Sequence, residues 1–235
     1  ITNKKEIYLI SDLKKTKKII NEKKIKRHEL IEDKNFKNFV YKLKKGKILI
    51  DSNTCSIFFE KILRKKFNVI KKIDPIYLFK SIKNKKEINH MINCHIIDGV
   101  ALTKFLYWIK FTNKKPITEF DAQKKLENFR KKNKNYLFPS FDTIAGAGQN
   151  GAVIHYRPSK KNSKKIQKKD IFLCDSGGQY KYGTTDVTRT ICFSKPKRNI
   201  QNIFTRVLKG HIAVASANIK KNFNGKMIDY LARKY

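Results

Sequence analysis

Residues 171–193 read IFLCDSGGQYKYGTTDVTRTICF. Two runs rich in β-branched and aromatic residues flank a Gly-rich centre, the pattern of two strands joined by a turn. Asp175 is expected on the first strand and Asp186 on the second. Side chains alternate faces along a strand, so Ile171, Leu173 and Asp175 share one face, and Asp186, Thr188, Thr190 and Cys192 share one face of the partner. Strands this apolar are expected to be buried. A buried carboxylate without a partner is costly or becomes neutral. Two carboxylates side by side are what a pair of hard metal ions needs. The plainer alternative keeps the two acids as turn caps, with Ser176, Thr184 and Thr185 as hydrogen-bond partners.

Outward from this hairpin, residues 1–80 alternate strand-like and helix-like patterns. Glu6–Ile10, Lys47–Ile50 and Asn68–Ile73 read as strands; Phe36–Lys44 and Ser56–Phe67 read as helices; Lys14–Lys24 reads as a Lys-rich helix or loop. Asp74-Pro75 breaks the pattern. His28 lies in a charged segment and reads as a solvated residue. Residues 76–92 are rich in Lys and Asn and read as a connector. A helix is expected over 93–111, with Ile97, Ala101, Phe105 and Trp108 on its inner face. A second opens at Pro116 and Thr118, where Thr118 with Asp121 makes an imperfect capping box; Ala122, Leu126 and Phe129 mark its inner face. Two more helices are expected over 200–217 and from Lys226 on. Phe204, Val207, Leu208 and His211 share a side of the first, where His211 reads as packed or surface.

The chain has 235 residues, 40% of them hydrophobic, enough for a core. Its formal charge of +36 comes from 55 Lys+Arg against 19 Asp+Glu. That excess raises nucleic acid as a partner, but it is mostly Lys spread along the chain beside abundant Ile and Asn, the mark of compositional bias. No specific nucleic-acid partner is therefore expected. Cys55, Cys94, Cys174 and Cys192 are far apart, so a zinc site of usual spacing is not supported. Cys174 and Cys192 could face each other across the hairpin, but reduced, inert thiols in a cytoplasmic setting fit better. No apolar run approaches the roughly 18 residues of a membrane span. The chain begins with Ile1 and lacks a signal-peptide pattern, so it is expected to start inside a longer protein.

The segments Asp175-Ser-Gly-Gly-Gln-Tyr180 and Gly183-Thr-Thr-Asp-Val-Thr-Arg-Thr190 closely resemble the aminopeptidase P family, Xaa-Pro aminopeptidases of the pita-bread metallopeptidase class. Phe138-Pro-Ser-Phe-Asp-Thr-Ile144, Asn150-Gly-Ala-Val-Ile-His-Tyr156, Asp98-Gly-Val-Ala101 and Val207-Leu-Lys-Gly-His-Ile212 match the same family. The resemblance covers residues 88–235. It extends more weakly over 1–87, where Asp51-Ser-Asn-Thr54 and Asp74-Pro-Ile-Tyr-Leu78 look like a creatinase-type N-terminal domain. The implied fold class is α/β (α+β): a creatinase-type α/β domain over 1–80, partial at its start, then the first half of a pita-bread catalytic domain over 88–235.

The resemblance also implies the chemistry. Asp175 would be a ligand of one metal and Asp186 would bridge both ions of a dinuclear site, usually manganese. His155 would be catalytic and substrate-binding, holding the substrate and helping to stabilise the tetrahedral intermediate; from the residues alone, a packed strand histidine reads equally well. The family removes the N-terminal residue from peptides with proline second and often forms homodimers. Its second half supplies a histidine and two glutamates to the metals. No Glu follows Glu127 here and no His follows His211, so the chain is expected to be a fragment, inactive alone and exposing apolar surface. Two other readings stand beside this one: a non-catalytic pita-bread module that binds protein or nucleic acid, and another pita-bread hydrolase such as a prolidase or methionine aminopeptidase.

Overall fold

The computed structural model describes residues 1–2, 6–22, 24–113, 115–219 and 223–235. The chain divides into two compact units, Ile1–Lys83 and Asn84–Tyr235.

The first unit alternates β1 (Leu9–Ile10), α1 (Leu13–Asn21), β2 (Leu30–Ile31), α2 (Phe36–Lys42), β3 (Lys47–Ile50), α3 (Ile57–Arg64), β4 (Asn68–Lys71) and α4 (Pro75–Ser81). β1 pairs β2 and β3 pairs β4, both parallel, as helical crossovers require. Lys23, in the expected 14–24 element, lies outside the described residues. Phe36, Val40, Ile50 and Leu63 form the core of this unit. His28 is exposed, as its charged surroundings predict.

The expected connector over 76–92 is not one. α4 starts on Asp74, whose carboxylate accepts from the Ile76 amide, with Pro75 at the first helical position. α5 (Lys85–Tyr107) begins eight residues earlier than expected, because Asn84 and Glu87 form a capping box (93 against 85).

The second unit continues α5 into a π-helical turn, Trp108–Thr112, and then α6 (Glu119–Lys131). Thr118 and Asp121 do form the capping box: the Thr118 amide donates to the Asp121 carboxylate at 3.0 Å and the Asp121 amide to the Thr118 hydroxyl at 3.2 Å. Six strands follow: β5 (Tyr136–Pro139), β6 (Ile144–Ala147), β7 (Ile171–Ser176), β8 (Gly178–Tyr180), β9 (Gly183–Thr184) and β10 (Val187–Cys192). They form two antiparallel sheets, β10-β7-β6 and β5-β8-β9. α5 and α6 cover one face of the first sheet. There Leu102, Phe105, Ile109, Ala122 and Leu126 pack on Ala145, Ala147, Phe172 and Cys174.

The chain ends in α7 (Arg198–Ala215) and α8 (Gly225–Arg233), which pack closely where Gly210 meets Ala232. The side of α7 bearing Phe204, Val207 and Leu208 is exposed, and so is His211. Among the described residues no helix is long and apolar enough to cross a membrane.

Candidate metal centre

β7 and β10 are antiparallel, with Thr188 opposite Asp175 and Ser176 opposite Val187. The Gly-rich link between them is more than a turn: β8 and β9 form a small hairpin that joins the other sheet through β5. This inserted hairpin leaves Asp186 one residue ahead of β10 and exposed, while Asp175, on β7, is half-buried. The expectation that both aspartates sit on buried strands is therefore wrong. The core takes Phe172, Cys174 and Ser176, and the other face, with Leu173 and Asp175, stays open.

On that open face the two acids meet. Asp175 accepts from the Thr188 hydroxyl at 2.8 Å. The Asp186 carboxyl is raised above the usual carboxylate range, first by the water that its surroundings displace although the residue stays exposed, then by the negative charge of Asp175. Two carboxylates that close repel unless a proton or a cation lies between them. Hard oxygen donors in that arrangement fit a divalent cation. Among the described residues no group of three or more His, Cys, Asp and Glu side chains is placed to hold a metal, so the carboxylate pair is as much of a centre as they provide.

The turn-capping alternative fails on its named partners. The Ser176 hydroxyl accepts from Arg130, the Thr185 hydroxyl accepts from the Gly178 amide, and the Thr184 hydroxyl donates to Gln179.

Behind the sheet lies a buried polar cluster that sequence reasoning missed. Arg130 is 2% exposed and Asp98 not at all. The guanidinium grips Asp98 with two bonds, 2.7 and 3.0 Å, and gives a third to the Ser176 hydroxyl at 3.0 Å. The Tyr180 hydroxyl donates to Asp98 at 2.7 Å. Burial alone would raise the Asp98 carboxyl; the Arg130 charge and hydrogen bonds, with those of Tyr180 and Thr185, hold it below the ordinary range instead. The cluster thus reaches Ser176, next to Asp175, and Thr185, next to Asp186. Gly177 lies between: a Cβ there would stand 1.9 Å from the Thr185 carbonyl oxygen. Only glycine lets the end of β7 approach the backbone leading to Asp186. A signal was present in the sequence. Asp98 falls between Cys94 and Ala101 on one helical face, and Arg130 continues the face of Ala122 and Leu126.

His155 is not a packed strand residue. It is exposed, in a turn, and holds a left-handed φ of 55°. The turn follows a short 3-10 helix, Gly148–Ala152, that lies on the open face of the sheet. A Cβ on Gly146 would come within 2.7 Å of the Gly151 nitrogen, and one on Gly151 would touch the Leu173 Cβ at 3.5 Å. Leu173 shares its face with Asp175.

All four cysteines are free. The register sets Cys174 opposite Arg189 and Cys192 opposite Ile171, so the two thiols do not face each other across the hairpin.

The model of metallopeptidase family M24 matches residues 89–235. An uncharacterised peptidase of Schizosaccharomyces pombe is 48% identical over 165 residues, 69% of this chain and 28% of that protein. A Xaa-Pro aminopeptidase of Drosophila melanogaster is 44% identical over 167 residues, 70% of this chain and 27% of that protein. Among solved structures, the X-prolyl aminopeptidase of Caenorhabditis elegans, described as a cytosolic enzyme with a di-nuclear active site, is similar with a TM-score of 0.82. It is 26% identical, over 99% of this chain and 40% of that one. The chain spans under a third of the length of these two curated relatives.

Proposed function

The chain belongs to metallopeptidase family M24, and from that premise we propose that it carries part of the active centre of a manganese-dependent Xaa-Pro aminopeptidase. That enzyme would be cytoplasmic, would act as a homodimer when complete, and would remove the N-terminal residue from peptides with proline in second position. The observation that carries the reading is the Asp175–Asp186 pair, two carboxyls brought together on the open face of β7 and β10, where Thr188, two residues past Asp186, stands opposite Asp175 and donates to it. An acid pair with no catalytic duty has no physical reason to stand so close; this argues against a non-catalytic binding module.

Asp175 and Asp186 would hold the metals, Asp175 as ligand to one and Asp186 between the two. Thr188 fixes one Asp175 oxygen by donating to it. When bound, the ions supply an activated water and polarise the scissile carbonyl. His155 binds the substrate from its exposed turn and steadies the charge that develops on the carbonyl oxygen. Affinity at carboxylate sites grows with ligand number and charge, so this chain alone binds manganese weakly and does not turn over.

The test is a manganese titration of this chain, read by the electron paramagnetic resonance of free ion, beside hydrolysis of an Xaa-Pro-Pro peptide. Weak binding that disappears in Asp186→Ala, without turnover, is expected. Equal binding by Asp186→Ala would remove the carboxylate pair from the metal site. Turnover by the chain that the variant abolishes would overturn the claim that its ligand set is incomplete.

A further inference from the structure

Glu119 is an acid with no solvent exposure and four donors around it. One oxygen accepts from the Ala147 amide at 2.7 Å and the Asn150 side-chain amide at 3.0 Å. The other accepts from the Lys164 amide at 2.9 Å, the Tyr156 hydroxyl at 2.7 Å and Asn150 again at 3.1 Å. Asn150 also donates to the Tyr156 hydroxyl at 3.0 Å. Ala147 and Lys164 are the two ends of one loop, and Asn150 and Tyr156 lie inside it. The loop contains His155, directly before Tyr156. Glu119 itself is fixed from outside, as the first residue of α6, by the Thr118–Asp121 capping box, and its own amide N–H donates to the Lys164 carbonyl at the end of the loop.

We propose that Glu119 is the positioning residue for His155: its carboxylate closes the 147–164 loop and holds the left-handed turn that presents the imidazole on the carboxylate face of the sheet. The proposal rests on the reading that gives His155 a role at that site. The chemistry demands a carboxylate. Each oxygen faces a backbone N–H, so glutamine at 119 would turn an NH2 group against one of two amides, whichever way it flipped. A left-handed φ on a non-glycine residue is strained and persists only where its surroundings enforce it.

The experiment uses this chain with its five histidines, followed by long-range proton–nitrogen NMR, with the His155 signals assigned by their loss in His155→Gln. In Glu119→Gln the His155 ring signals are expected to move, and the Ala147 and Lys164 amides to exchange faster, while the signals of His28, His90, His95 and His211 stay in place. Faster exchange with an unmoved His155 would overturn the proposal and leave Glu119 a structural plug. Should Glu119→Gln not fold, Tyr156→Phe removes one hydroxyl and keeps the carboxylate. It should move His155 in the same direction, and an unmoved signal overturns the proposal there too. In a preparation that hydrolyses Xaa-Pro peptides, Glu119→Gln should lower kcat at least tenfold, with no further fall in a His155→Ala background. Additive losses would refute positioning through His155. A His155→Ala enzyme of full activity would instead sink the catalytic reading, while the NMR result still decides what Glu119 holds.

Discussion

Asp98, on the covered side of the β7–β10 sheet, accepts two bonds from Arg130 and one from Tyr180, and its carboxyl titrates below the usual range. Asp186, at the edge of the open side, has Asp175 for its neighbour and titrates above it. The same few residues of backbone serve both sides: Ser176 and Thr185 turn inward to the first cluster, and Asp175 and Asp186 belong to the second. Complete partners make an acid a structural fixture. An acid left facing another acid repels it unless a proton or a cation lies between them. The covered cluster ends beside the open pair, since Arg130 donates to Ser176, the neighbour of Asp175.

The largest expected effect comes from breaking the covered side. Arg130→Met strands a buried, unpaired Asp98, a change that costs about 3–5 kcal/mol. Trp108 is the only tryptophan and packs against the core of the second unit, so urea unfolding followed by its fluorescence reads the loss there. Replacing both partners, Arg130→Met with Asp98→Leu, should recover most of it. A single variant within about 1 kcal/mol of the parent would mean that the pair does not hold this side together.

A smaller effect should join the two sides. In Gly177→Ala the new methyl meets the Thr185 carbonyl oxygen and the Ser140 hydroxyl, at 1.9 and 2.3 Å before relaxation. Overpacking of this kind typically costs about 1–3 kcal/mol. Here it should also push the backbone ahead of Asp186 away from the end of β7 and weaken manganese binding. Lost stability with unchanged metal affinity would show that the covered side does not set the spacing of the open one.

The sequence made every helix but α4 readable and half of the strands, leaving β2, β5, β6, β8 and β9 unread and the covered cluster hidden. β3 was legible because KILI is a short apolar run bounded by turn residues, and α6 because Thr118 and Asp121 announce its start. The early start of α5 was legible too, in Asn84 and Glu87, but a Lys- and Asn-rich composition masked it. Asp98 and Glu119 were passed over because an acid on a helix is usually solvated, although both fall at helical steps from buried apolar residues. Their partners could not be read at all. Arg130 lies on another helix, and Ala147 and Lys164 flank a loop whose path depends on tertiary packing. The position of Asp186 went astray for a related reason. Strand alternation assumes an uninterrupted hairpin, and β8 and β9 form a second sheet inside this one. The apolar side of α7 was readable as a stripe but not as an exposed one, since periodicity says which residues share a face and not what lies against it.

The smallest effect separates the two acids by the sign of their pH dependence. Asp186 has a raised pKa in the folded chain. Between the ordinary aspartate value, about 3.9, and that raised value the folded state binds more protons than the unfolded one. Stability therefore falls as pH rises through that window. Asp98 has a lowered pKa. Its contribution is complete above about 3.9 and is lost as pH falls through the folded value. The two slopes oppose each other on either side of the ordinary value, so urea midpoints taken across acid pH resolve them. Asp186→Asn should remove the decline above about pH 4 and leave the acid loss intact. The decline itself should be shallow and shrink further in salt, because Asp186 is exposed and its interaction with Asp175 is screened. Manganese should flatten it in the parent chain, since a cation between two carboxylates favours both charged forms. A profile that Asp186→Asn leaves unchanged would mean that the open acids do not feel each other, and the contrast with Asp98 would then be one of burial alone.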